Sequence, residues 1–172
     1  MSFSGFIMKV VSYLDTVKVV IFKEKNEEYA IDVDHVISIE KPEKITPVPQ
    51  LPNFIKGLVK VRGELVPVVD LHHVLYGTDE ALHEMTRLIV LKTGILKLAL
   101  LVGEAKELIE VSTDSIKQVG LFAYQKTSYF TGVINLDNRL ITLIDPNRMI
   151  NSLDGIREIQ AYMEEQAKIT ES

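Results

Sequence analysis

The sequence predicts a mostly β protein of about ten short strands, five in each of two copies of one unit, with small helices attached. The first observation is an internal repeat. Residues 54–75 (FIKGLVKVRGELVPVVDLHHVL) align with 129–150 (YFTGVINLDNRLITLIDPNRMI) at a shift of 75, and 13 of 22 positions are identical or both apolar. At 47% apolar content, random pairing would match roughly five. The second is an upstream match at a shift of 69, where 18–23 (KVVIFK) falls on 87–92 (RLIVLK) and 29–33 (YAIDV) on 98–102 (LALLV). The third is that both copies end in the same hairpin and helix. Five strands suit a small closed barrel, and closure removes exposed edges. Halves of about 65 residues bury little alone, so they should pack as one unit with a seam able to bind something.

The elements follow in order. The start, Met1 to Val17, reads as an amphipathic helix or an extra strand; Lys9 interrupts its apolar run, so it makes a poor signal peptide. Lys18 to Phe22 is a β-rich run, Glu24 to Glu28 a charged turn, and Tyr29 to Val33 a strand with Tyr29, Ile31 and Val33 on one face. His35 to Ile39 could extend that strand. Pro42, Pro47, Pro49 and Pro52 make the next stretch a rigid extended loop.

A hairpin then spans Gly57 to Val69 around Arg62-Gly63, where the glycine supplies the positive φ of a tight primed turn. Asp137-Asn138 serves the second copy. Pro67 cannot donate a ladder hydrogen bond and predicts an edge strand or a bulge. Asp70 should cap a short helix with a Leu71, Val74, Leu75 stripe ending at Gly77, and Asp145 another with Pro146 at its first position and Met149 and Ile150 inward. The six-residue growth in the shift places an insertion around Gly120 to Ser128. Residues 152–172 read as an amphipathic helix with Ile156, Ile159 and Met163 inward.

Composition narrows the function. The 172 residues carry a formal net charge of −5 and no cysteine. Disulfides and thiolate chemistry are excluded, a reducing compartment fits, and no basic block invites nucleic acid. No apolar run is long enough for a transmembrane helix. His72 and His73 are adjacent and point about 100° apart on a helix, and no HxxxH or HExxH spacing occurs, so neither a metal nor any other cofactor is expected. The carboxylates show no catalytic pairing, and Asp70 and Asp145 read as helix caps, so an enzyme is not expected.

Two features point to binding: Arg62 at a hairpin tip, and the set Val33, Val36, Ile37 and Ile39, whose complete burial would need two cores or a partner.

The run 53–71 (NFIKGLVKVRGELVPVVDL) resembles the signature of the CheW family of bacterial chemotaxis coupling proteins: Phe-x-x-Gly, then Asn-Leu-Arg-Gly, then an apolar-Pro-apolar-apolar-Asp-Leu stretch. The segments 28–32 (EYAID), 45–49 (ITPVP) and 129–132 (YFTG) resemble it too, so the likeness covers roughly 18–150. It implies two intertwined SH3-like five-stranded barrels, about 18–77 and 87–151, in one domain over 18–151, flanked by an N-terminal extension (1–17) and a C-terminal helix (152–172).

The resemblance also implies a non-catalytic adaptor. Such an adaptor joins the cytoplasmic tip of a chemoreceptor (a methyl-accepting chemotaxis protein) to the regulatory domain of the histidine kinase CheA, as a cytoplasmic protein recruited to membrane-associated arrays. No ATP-binding or phosphoacceptor region fits in this length, so the expectation is the coupler rather than the kinase. Carried over residue by residue, the receptor groove falls on Val20, Val33, Val36, Ile39 and Ala105, and receptor or kinase contacts on Gly57 and Arg62. Val36 and Ala105 are equivalent at the shift of 69. Lys60, Val61, His72 and Ser38 depart from the usual family residues. The alternatives are a coupler of another chemosensory pathway, such as pilus motility, and an unrelated barrel that binds a small ligand or peptide.

Overall fold

A computed structural model describes residues 15–118 and 128–171. Eleven strands occur among them: β1 (Thr16–Glu24), β2 (Glu27–Asp32), β3 (Val36–Glu40), β4 (Ile55–Val61), β5 (Glu64–Asp70), β6 (Arg87–Lys92), β7 (Lys97–Val102), β8 (Glu104–Ser112), β9 (Ile116–Lys117), β10 (Phe130–Leu136) and β11 (Arg139–Ile144). Three α-helices accompany them: α1 (Leu71–Tyr76), α2 (Pro146–Ser152) and α3 (Ile156–Glu171). The chain is mostly β, as its repeats predict. Residues 1–14 and 119–127, the latter holding most of the insertion expected around Gly120 to Ser128, lie outside the described residues, and Thr16 and Val17, expected in the N-terminal extension, begin β1.

The strands form two sheets, ordered β8-β1-β2-β11-β10-β9 and β3-β6-β7-β5-β4. Each sheet takes strands from both repeats. The segments 18–77 and 87–151 each contribute strands to both sheets. Copies cross at two parallel junctions, β2 on β11 (Ala30 opposite Leu143) and β7 on β5 (Ala99 opposite Val68). Both junctions carry an ion pair at corresponding positions with the signs exchanged, Glu28 with Arg139 at 2.8 Å and Lys97 with Glu64 at 3.0 Å. The Arg139 guanidinium grips both Glu28 oxygens and holds that carboxyl below its ordinary pKa.

Each sheet curls around its own apolar interior. Val59, Val61, Val66, Val68, Leu88, Val90, Ala99 and Leu101 fill one; Val19, Ile21, Ala30, Val111, Ile134 and Ile141 fill the other. The chain itself closes both. After β3, Thr46 bridges to Leu58 of β4, and after β8, β9 pairs with β10. A third cluster joins the barrels and contains Val20, Phe22, Tyr29 and Ile31 with Ile89, Leu91, Leu98 and Leu100. These are equivalent pairs at the shift of 69, so a pseudo-two-fold relates the two sides of the seam.

The local predictions hold where backbone chemistry is decisive. Arg62 (φ 51°) and Gly63 (φ 82°), like Asp137 (44°) and Asn138 (67°), adopt the left-handed conformation of a primed turn. The Asp70 carboxylate accepts from His73 N–H, Gly77 closes α1 at φ 76°, and Asp145 caps α2 ahead of Pro146. Ile156 and Ile159 of α3 are buried, and Met163 packs against the joining cluster.

Other expectations change. The strand expected at 29–33 stops at Asp32, whose carboxylate accepts from Asp34 N–H and caps a 3-10 turn over Val33–His35. That turn sends β3 into the other sheet instead of extending β2. Pro67 lies in an interior strand, without a bulge at its own position. Its partner Leu58 spends both backbone groups on Thr46, so the pair is not hydrogen-bonded and the Pro67 nitrogen faces β7, where the ladder starts only at Val68.

Glu24, expected in a charged turn, ends β1 at 1% exposure. Burial, helped by the Glu80 carboxylate, pushes its pKa from 4.5 up to about 8, against a 2.7 Å hydrogen bond from Gly103 N–H. Between these values the folded chain keeps a proton that the unfolded chain sheds. Stability from this group is therefore complete below pH 4.5 and lost as pH rises toward 8. Glu28 and Asp79, held low by Arg139 and Lys56, contribute with the opposite sign, and their contribution is lost toward the acid end, not toward pH 8. A tenfold change in proton affinity is worth about 1.4 kcal/mol. We expect the urea midpoint of the chelator-stripped protein to fall between about pH 5 and pH 8, and Glu24→Gln to flatten that slope. An equal slope in both proteins would refute the assignment.

Candidate functional site

The seam is bordered by two equivalent edge strands, β3 and β8. Val36 stands opposite Leu91 of β6, and Ala105 opposite Phe22 of β1; Phe22 and Leu91 correspond at the shift of 69, as do Val36 and Ala105. Both ladders carry a register shift at this point, at Val36/Ser38 and at Ile21/Phe22. Further along, Ile39 faces Ile89 and Leu108 faces Val20. Directly opposed residues of an antiparallel pair share a face. Phe22, Leu91, Ile89 and Val20 belong to the joining core, so their partners point to the seam from both sides.

The predicted groove residues differ in what they offer. Val20 is 2% exposed and forms part of the floor, closed to direct contact. Val33 and Val36 are half-buried against the joining core, and Ala105 is half-buried on β8. Ile39 is 45% exposed. The two cores required by the apolar run exist, since Val33 and Val36 lie on the joining cluster and Ile37 on a barrel interior, and Ile39 is the residue left over. Leu108, 57% exposed, was not singled out from sequence. It is the equivalent of Ile39 at the shift of 69, so extending the comparison three residues beyond Ala105 would have found it.

Ser38 does not join the groove. It stands opposite Val90, a barrel-interior residue, and its hydroxyl oxygen is enclosed without a hydrogen-bond partner among the described residues. An enclosed polar group left unpaired costs about 1–3 kcal/mol. Ser38→Ala should therefore hold or raise stability, by up to about 1 kcal/mol, and leave partner binding unchanged. A clear loss in urea denaturation would show that the hydroxyl is satisfied in solution.

Gly57 and Arg62 lie on one hairpin but play unlike parts. Gly57 is buried at φ 146°, and a Cβ built there would sit 2.2 Å from the Thr46 carbonyl oxygen. The close approach of the proline-rich loop explains the glycine, and Gly57 offers a partner no surface of its own. Arg62 is exposed at the tip, and no ion pair among the described residues includes it. Its guanidinium is presented outward on a rigid turn, suited to a carboxylate or to carbonyls at a helix end.

The described residues that could ligate a metal are Glu24, His72 and Glu80, in a cleft also lined by Gly103 and Glu104, the residues preceding Ala105. Among the described residues, the groove offers apolar side chains flanked by the exposed Lys106 and Glu107, and the hairpin tip offers Arg62 beside Lys60 and Glu64.

The CheW-like domain family model matches residues 18–154. The chain is 31% identical over 133 residues to the chemotaxis protein CheW of Klebsiella aerogenes, covering 77% of this chain and 80% of that one. Against the chemotaxis protein CheW of Bacillus subtilis the identity is 30% over 135 residues, with 78% and 86% covered. The crystal structure of the scaffolding protein TtCheW from Thermoanaerobacter tengcongensis superposes with a TM-score of 0.71 at 26% identity, covering 81% of this chain and 90% of that one.

Proposed function

The chain belongs to the CheW-like family, and on that premise we propose that it is a non-catalytic chemotaxis adaptor, binding a chemoreceptor's helical cytoplasmic tip at the seam and the regulatory domain of the histidine kinase on a separate surface. The observation that carries the reading is the matched pair Ile39 and Leu108, exposed apolar residues brought to one seam by the pseudo-two-fold. A helical hairpin laid into an apolar groove is a standard recognition mode, and two facing apolar edges suit two antiparallel helices. Signal passes without chemistry when two partners bind at once and one receptor state is preferred. Individually weak contacts gain avidity in an array.

The test is an NMR titration of the labelled chain, first with a receptor-tip fragment and then with the kinase regulatory domain. We expect the receptor fragment to shift Val33 to Ile39 and Ala105 to Leu108, and the kinase domain to shift a different surface. A folded sample showing no shifts with either would remove the adaptor reading.

Arg62 supplies a second check. A lost charge-assisted contact is worth about 1.5–3 kcal/mol, so Arg62→Glu should weaken binding of one partner at least about tenfold. Its melting temperature should be unchanged, because Arg62 is exposed. Full affinity for both partners in the folded variant would remove Arg62 from the interface.

A further inference from the structure

We propose that Glu24, His72 and Glu80 form a binding site for one divalent transition-metal cation of the zinc class. The three residues come from the end of β1, the second position of α1 and the loop after α1. His72 Nδ1 lies 3.0 Å from Glu24 Oε2 and 3.2 Å from Glu80 Oε2, and the donor atoms all fall within 4.8 Å of one another. Around a tetrahedral zinc ion with bonds near 2.0–2.1 Å, adjacent donors stand about 3.3 Å apart. The chain thus places one nitrogen and two oxygens at the spacing that such an ion requires, with a fourth position left for water.

Two of the three ligands have their other polar atom hydrogen-bonded, and the third has a histidine beside it. Gly103 N–H donates to Glu24 Oε1 at 2.7 Å, which turns Oε2 toward the cluster. His72 Nε2 lies 3.0 Å from Thr78 Oγ1; with its hydrogen on that hydroxyl, the Nδ1 lone pair faces the carboxylates. His83 Nδ1 accepts from Met85 N–H, so its Nε2 carries a hydrogen, and that nitrogen lies 3.5 Å from Glu80 Oε1. This is the outer shell of a metal site, where ligands are oriented through the atoms that do not bind.

The charge balance points the same way. The Glu24 and Glu80 side chains are 1% and 8% exposed, and their ion pairs among the described residues are with histidines alone. Asp70 adds a further carboxylate nearby, taking Glu80 N–H at 2.9 Å, and its own cation, Lys56, is 3.4 Å away. The Lys25 ammonium sits over the Tyr76 ring. Two enclosed carboxyl groups and an imidazole lone pair at these distances call for a proton or a cation between them, and a divalent cation would take the place of the proton that Glu24 holds in the metal-free chain. An open cleft of about 320 Å³ gives access from solvent. Local spacing could not have found this set: His72 and His73 do not share a ligand face, and the carboxylates come from 48 residues before and eight after His72.

The experiment titrates ZnCl₂ into chelator-stripped full-length chain, followed by calorimetry and thermal melting, with Co²⁺ as a spectroscopic stand-in. We expect one ion per chain, a Kd at or below the micromolar range, a melting temperature raised by several degrees, and visible Co²⁺ bands of low coordination number. His72→Gln and the near-isosteric Glu24→Gln should each weaken binding at least about 100-fold. The neighbouring His73→Gln should bind as the parent does, and circular dichroism confirms that each variant is folded. No heat and no melting shift at millimolar Zn²⁺, or equal binding by the folded parent and His72→Gln, would overturn the site and leave a shared proton as the charge between the two carboxylates.

Discussion

Gly57→Ala is expected to destabilise the domain by at least about 3 kcal/mol, a large part of the 5–15 kcal/mol that holds a typical domain together. Two effects add. A φ of 146° is open to glycine and strained for any L side chain, at about 1–3 kcal/mol. The new Cβ would also meet the Thr46 carbonyl oxygen at 2.2 Å and its carbon at 2.7 Å, both backbone atoms. Thr46 cannot retreat freely, because it exchanges two 2.8 Å hydrogen bonds with Leu58 that close the barrel.

Gly63→Ala, at φ 82° with nothing within 4 Å, should cost only about 1 kcal/mol, from the left-handed conformation alone. Urea denaturation of both variants reads the contrast. A Gly57→Ala protein within about 1 kcal/mol of the parent would mean that the loop carrying Thr46 yields easily. The result also bears on function: lost partner binding in a Gly57 variant would report a disturbed barrel, not a missing contact.

Much of this fold was legible because it is written twice. The shifts of 69 and 75 correctly equate β1 with β6, β2 with β7, β4 with β10 and β5 with β11, and the caps at Asp70 and Asp145 follow from local chemistry alone. Repeats reveal which strands are equivalent, but not which ones pair. The 3-10 turn at Val33–His35 carries β3 into the sheet of the other copy, and the decisive hydrogen bond there is a single Asp32 carboxylate to Asp34 N–H. Pro67 misleads for a related reason, since its harmlessness depends on where Leu58 and β7 place their bonds. Glu24 looked like a turn residue because its partners, Gly103 and His72, lie far along the chain. Val20 lies beneath its neighbours at the seam, and Leu108 is the exposed equivalent of Ile39 at the shift of 69.

Leu108 and Ile39 carry the other large effect. Ile39→Asp and Leu108→Asp should each lower affinity for a receptor-tip fragment at least about tenfold, since a charge facing an apolar helix is buried unpaired on docking. Both residues are about half exposed in the free chain, so melting temperatures should hardly move. Val36→Asp should also abolish receptor binding, but Val36 packs on the joining core, so that variant loses stability as well and is the weaker probe.

Leu140, 67% exposed near the start of β11, tests whether position matters: Leu140→Asp should bind the receptor fragment as the parent does. Kinase-domain affinity should survive both groove substitutions. If folded Ile39→Asp lost receptor and kinase equally, the two partners would share one surface, and simultaneous coupling through separate faces would be ruled out. If Ile39→Asp alone acted, the receptor would read one edge strand, and the symmetry of the seam would be an inheritance of the duplication with no part in recognition. Loss in both, with the kinase unaffected, requires that one partner span both edges, and that is the arrangement that makes a duplicated barrel useful as a coupler.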